Sequence, residues 1–223
     1  DVGNDFVGAV SMANGNDLTL SDVNAIELGR LTIGGNLAMT AAGAITQSGA
    51  ITVAGTTSLA AGAANAITLA NASNDFTGAV RISTGLDVAI TDSDEIDFGI
   101  STISGNLAVT ANGAITQSGA ITVDGTTSLT AGAANDITLT AANQIDGAVQ
   151  VISGRNVTLN DADSTGVLTL AASTISGNLT VTSSEPITQS GALAVTGTTT
   201  LAAGSANDIT LANSTNSFGG PVV

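Results

Sequence analysis

Cysteine, histidine, lysine, tyrosine and tryptophan are all missing from the 223 residues. Without cysteine there is neither a disulfide nor a thiolate, so stability has to come from packing and hydrogen bonds alone. Without histidine or lysine, the side chains that most often exchange protons near neutral pH are absent. The acidic-polysaccharide chemistry of some parallel β-helices thereby loses its usual cationic partners. The three arginines, Arg30, Arg81 and Arg155, fall at different phases of the repeat described below, which argues against a shared site. The chain is expected not to be an enzyme. Three positive charges face 18 acidic ones, a net charge of −15, which leaves no basic surface for nucleic acid or an anionic membrane. No apolar run approaches the roughly 18 residues of a membrane-spanning helix, so membrane insertion is not expected. The aromatic residues are four phenylalanines, as a narrow interior of Val, Ile, Leu and Ala would require.

What the chain does contain is repetition. Gly-Asn-Leu-x-(Met/Val)-Thr followed by Ala-Ile-Thr-Gln-Ser-Gly-Ala runs over 35–50 and 105–120, and returns at 177–192 with Pro186 in place of the alanine. The period is about 70 residues, dividing the chain into repeats at 4–73, 74–142 and 143–215 and the start of a fourth at 216–223. An inner period of about 20 residues places Leu31-Thr32-Ile33 with Ile51-Thr52-Val53, and more loosely with Val10-Ser11-Met12. Each inner unit holds three short segments of alternating apolar and polar residues, separated by Gly, Asn, Ala and Ser. Alternation at period two marks a strand with one buried face, and no stretch keeps the 3.6-residue spacing of a helix.

Three short strands per coil of about 20 residues predict an all-β chain folded as a right-handed parallel β-helix, a β-solenoid. On this reading the 70-residue unit is three coils, and about nine coils make a rod roughly 43 Å long. Met12, Ile33 and Val53 are expected to stack inward on one another. The excess residues Asn71-Ala72-Ser73-Asn74-Asp75-Phe76 predict a longer loop or a short extra strand on every third coil. Copies differ in length near Asn143-Gln144-Ile145 and at Ala162-Asp163-Ser164-Thr165-Gly166; both differences are expected in turns, because a one-residue slip within a strand would turn its apolar set outward.

Gly-Asn-Leu-Thr-Val-Thr at 177–182, Ile-Thr-Gln-Ser-Gly-Ala-Ile-Thr-Val at 115–123, Gly-Thr-Thr-Ser-Leu at 125–129 and Ala-Asn-Asp-Ile-Thr-Leu at 134–139 resemble the repeat regions of secreted bacterial β-helical proteins of the filamentous-haemagglutinin type. The resemblance covers essentially the whole chain. It implies a structural, extracellular stalk or filament of a surface adhesin, exported by two-partner secretion or a related autotransporter route. Expected partners are further copies of the chain, stacked head to tail or joined in a longer array, and glycans of host or neighbouring cells. Asn4-Asp5-Phe6 and Asn216-Ser217-Phe218 lie in the same phase of the repeat, which is the reason to expect stacking of terminal coils.

Candidate chemistry is sparse. Asp22-Val23-Asn24, Asp92-Ser93-Asp94 and Asp161-Ala162-Asp163 fall at one place in each unit, and the third continues to Thr165-Gly166 with oxygen ligands at alternate positions, as in the first half of a calcium loop. Asp161, Asp163, Thr165, Asp92 and Asp94 are therefore candidate Ca²⁺ ligands; the competing reading is that these residues form hydrogen-bonded Asx turns. No other cofactor is expected. Gln47, Gln117 and Gln189 are read as partners for corner backbone. The threonine groups 56–57, 126–127 and 198–200 raise ice binding as a minor alternative, but they form no continuous Thr-x-Thr row.

Overall fold

A computed structural model describes residues 3–223, and in these every paired strand is parallel and none of the chain is helical. The polypeptide winds as a three-sided β-solenoid. On the first side Leu18–Asp22, Leu37–Ala41, Thr57–Ala60 and Val80–Thr84 pair in succession. On the second, residues 26–28 pair with Ile45–Gln47, followed by Ile67–Leu69 and Val88–Asp92. On the third, residues 31–33 pair with Ile51–Val53 and then with Asp75–Phe76.

These ladders correct the coil count. Three coils carry the first side from Leu18 only as far as Val80, whereas Val88 is the sequence counterpart of Leu18. Val88 stands on the second side, above Ile67. The counterpart in the next repeat, Val157, stands on the third side, above Ile137. A repeat is therefore three coils plus one side, and each successive copy is turned by a third of a revolution about the axis. Three repeats make ten coils, a rod of about 48 Å at the strand spacing of a sheet.

The corners absorb this phase change. Val80 pairs with Phe98 where the third side meets the first, and Val149 pairs with Leu170 in the equivalent position one repeat later. The excess residues are resolved as a turn through Asn71 to Asn74 followed by a short strand, Asp75–Phe76, which supplies the third side of its coil. The insertion at 162–166 lies between strands, as expected. The deletion near Asn143 does not: Ile137–Ile145 continues as one strand past its corner, with the irregularity taken up between Leu139 and Asn143.

Alternation accounts for the interior. Ile51–Val53, Leu107–Ala111 and Val157–Asp161 each bury every second residue, and Ile33, Val53 and Phe76 stack in one column. Met12 does not pair with Ile33. Two irregularities in Val10–Gly15 place it beside Leu31 and leave Gly15 opposite Ile33. The Met12 sulfur then fills the space that a side chain at Gly15 would occupy, so an unbranched side chain reaches across the bulge to cover the core. Phe76 and Phe98 are fully buried. Gly62, Gly132 and Gly204 close one turn per repeat with φ of +81°, +80° and +75°, where a Cβ would be strained.

Candidate functional site

The polar groups that recur in the repeat lie at its corners, and most are consumed in holding one coil to the next. The Gln47 amide donates to Asn74 Oδ1 at 2.8 Å and to Gly49 O at 2.7 Å, while Asn74 Nδ2 donates back to Gln47 Oε1 at 2.9 Å. Asn74 is wholly buried, and its oxygen also accepts from Ile51 N. Gln117 with Asn143 and Gln189 with Asn216 form the same reciprocal pair. A second corner is tied by Asn65, Asn135 and Asn207, each donating to a carbonyl four residues back and to one on a preceding coil. The Arg155–Asp136 ion pair, 2.7 Å, joins two coils at the surface and holds the Asp136 carboxyl well below the usual range.

The predicted carboxylates do not form one site. Because each repeat is rotated by one side, Asp22, Asp92 and Asp161 end strands on three different sides of the rod. Each is buried and points back into its corner. Asp22 accepts from Phe6 N and Asn24 N, Asp92 from Phe76 N and Asp94 N, and Asp161 from Ile145 N and Asp163 N, all at 3.1–3.4 Å. These are Asx turns that also cap backbone on another coil. Asp163 accepts from Ser164 N and from the Thr165 hydroxyl. Among the described residues, no three acidic side chains already surround a common point as a metal requires.

Burial, with the nearby Asp94 carboxylate favouring a shared proton, pushes the Asp92 carboxyl up to about 7, against the backbone N–H donors of Asp94 and Phe76. Asp161 is also raised by burial, partly offset by its two backbone donors. Around Asp161 the third repeat differs from the others. Glu185 stands where the first two have Gly43 and Gly113, and is 5% exposed. Burial and the charges of Asp163, Asp161 and Asp146 raise its pKa; Asp146 is raised by burial and by Asp163. Asp161 Oδ2 and Glu185 Oε1 are buried with no hydrogen-bond partner. Sequence reasoning passed over Glu185 and Asp146. The available signal was that the glycine is lost in the same repeat that gains residues at 162–166.

Three other buried oxygens, Thr57 Oγ1, Thr127 Oγ1 and Thr199 Oγ1, are equivalent in the three repeats and equally unpartnered. The neighbouring Thr56, Thr126 and Thr198 fall on three different sides, so they assemble no flat array; Thr56 and Thr126 donate to Asn36 and Asn106 on the coil below. A shallow groove lined by Gln47, Ser48, Thr68, Ala70 and Asn71 opens on the outer surface. An apolar hollow lined by Leu201, Ile209, Leu211, Val222 and Val223 opens at the last coil.

A family model described as Repeats of unknown function (DUF5649) matches residues 15–83, 85–152 and 154–223. No curated protein and no solved structure matches the chain.

Proposed function

Because the chain belongs to that family of repeats, whose three matches fill most of its length, we propose that it serves as a rigid rod: an extracellular stalk or filament segment of a bacterial surface adhesin. The observation that carries this reading is the rotation of each repeat. A binding face built from equivalent residues would be turned to a new side in every copy, whereas one apolar core continues through all ten coils, wrapped throughout by parallel strands. What repetition preserves is the shaft. Arrays of this kind gain stability from each repeat and from each junction between neighbours, which suits a spacer that must stay straight under load.

Every coil carries the same core-type side chains, so a coil of one copy can cover an apolar face such as the hollow lined by Leu201, Ile209, Leu211, Val222 and Val223. Since three repeats turn through one full revolution, an added copy would stack with its sides in register. Such head-to-tail contacts do not close and generate filaments. Negative-stain imaging over a concentration series tests both parts. The expected particles are straight rods whose lengths are multiples of about 48 Å. Compact particles would overturn the rod, and single rods at every concentration would overturn stacking between separate chains.

A further inference from the structure

Glu185 occupies a position that the other repeats reserve for glycine. At Gly43 a Cβ would lie 2.5 Å from Ala25 N, and at Gly113 2.5 Å from Glu95 N, because the turn of the preceding coil passes directly beneath. In the third repeat that turn is the longer loop at 162–166, and Glu185 lies against it, with Oε2 3.3 Å from where a Cβ on Gly166 would stand. The longer loop and the loss of glycine are thus two halves of one change, and together they seat a carboxylate in a nearly sealed position. Nothing in the architecture requires it, since two repeats build the same corner without it.

The surroundings lack any cation. Asp161 and Asp163 come from the coil below Glu185, and Asp146 from the coil below that, so acidic side chains of three successive coils lie close enough for their charges to act on Glu185. The only salt bridge among the described residues, Arg155–Asp136, lies elsewhere. Glu185 Oε1 and Asp161 Oδ2 are buried and have no donor, so two acceptors face into the cluster unsatisfied. Oxygen-only, multiply anionic surroundings with an adaptable loop match the needs of a hard divalent cation of the size of Ca²⁺.

We propose that Glu185, Asp161, Asp163 and Asp146 form a Ca²⁺ site particular to the third repeat, closed by the loop at 162–166. The carboxylates do not yet converge on a common point. Binding draws Asp163 out of its local turn with Ser164 and Thr165 and ties the loop to the coils on either side. The site excludes Asp92 and Asp94, which lie at another corner, and it acts as a local clamp on the rod.

The test is calorimetric titration of the full chain, stripped with chelator, with CaCl2, together with thermal unfolding in CaCl2 and in NaCl of equal ionic strength. The expected result is one site with Kd on the order of 10⁻⁴ to 10⁻³ M, as in extracellular modules, and a rise in Tm with Ca²⁺ beyond that with NaCl. Glu185→Gln and Asp163→Asn keep the side-chain shapes; each should lose the Ca²⁺ heat and the Ca²⁺-specific rise while unfolding cooperatively in chelator. Absence of heat in the parent, equal heat in both variants, or equal rises in CaCl2 and NaCl would overturn the site, the last by reducing the effect to screening of the net negative charge.

Discussion

Single side chains in this interior fall into those that are fully satisfied and those that are not. Thr57, Thr127 and Thr199 occupy inward positions between apolar neighbours, Leu37 and Val80 in the case of Thr57, and their hydroxyls find no acceptor. Replacing each with the isosteric valine removes an unpaired polar atom while keeping the packing. Each Thr→Val change should raise stability by about 1 kcal/mol, and the triple variant by roughly the sum because the sites are far apart. Denaturant unfolding with an unchanged m-value would check this. Asp92 is the residue whose charge the fold resists, with a pKa of about 7 against 3.8 in the unfolded chain. A raised folded pKa stabilises through the protonated form. That contribution is complete below the unfolded value and is lost as pH rises through about 7. Tm should therefore fall between pH 5 and pH 8, and Asp92→Asn, which keeps an acceptor for Phe76 N, should flatten that slope and be the more stable form at pH 8 by about 1–3 kcal/mol.

At the scale of the element, strands of three to five residues are too short to hold a register alone, and the corners do much of that task. The Gln47–Asn74 pair shows how: Asn74 joins its own turn to the coil below through Gln47 and Ile51 N, and to the coil above through Thr91 O. Asn74→Ala would leave the Ile51 N–H without an acceptor in a dry corner and break the reciprocal pair with Gln47, which keeps only Gly49 O and Asn71 N, costing about 2–4 kcal/mol. Gln47→Ala in the same background should add little, so a double-mutant cycle would report strong coupling. The corners were partly legible in the sequence. Gln47, Gln117 and Gln189 read correctly as backbone partners, but their amide partners Asn74, Asn143 and Asn216 were hidden, because 26 or 27 residues separate each pair and only coil stacking brings them together.

For the whole molecule, the decisive feature is the third of a revolution between repeats, and it is open to direct test. Ala89 pairs with Thr68 on the second side, while Ser58 pairs with Arg81 on the first. Repeats of exactly three coils would instead set Ala89 above Ser58. Cysteines at Ala89 and Thr68, in a chain that has none of its own, should form a disulfide on mild oxidation, since paired strands hold their Cα atoms within the usual range of about 4.4–6.8 Å. Cysteines at Ala89 and Ser58 should stay reduced. Crosslinking of the second pair and not the first would restore the three-coil period.

The sequence by itself determined the parallel solenoid, because strand alternation, glycine-marked turns and a 20-residue inner period are local signals that need no knowledge of distant neighbours. It also determined the inward set that includes Ile33 and Val53. The position of Met12 was out of reach, since a bulge is a property of the pairing and not of the strand. Only the tertiary structure decided how many sides a repeat spans. Val80 and Val88 both begin alternating segments, and which of them lies above Thr57 depends on how the turn through Asn71 to Asn74 folds. The candidate site followed the same division: turn chemistry at Asp161 and Asp163 was readable along the chain, while the carboxylates of Asp146 and Glu185 join them only because successive coils stack about 4.8 Å apart.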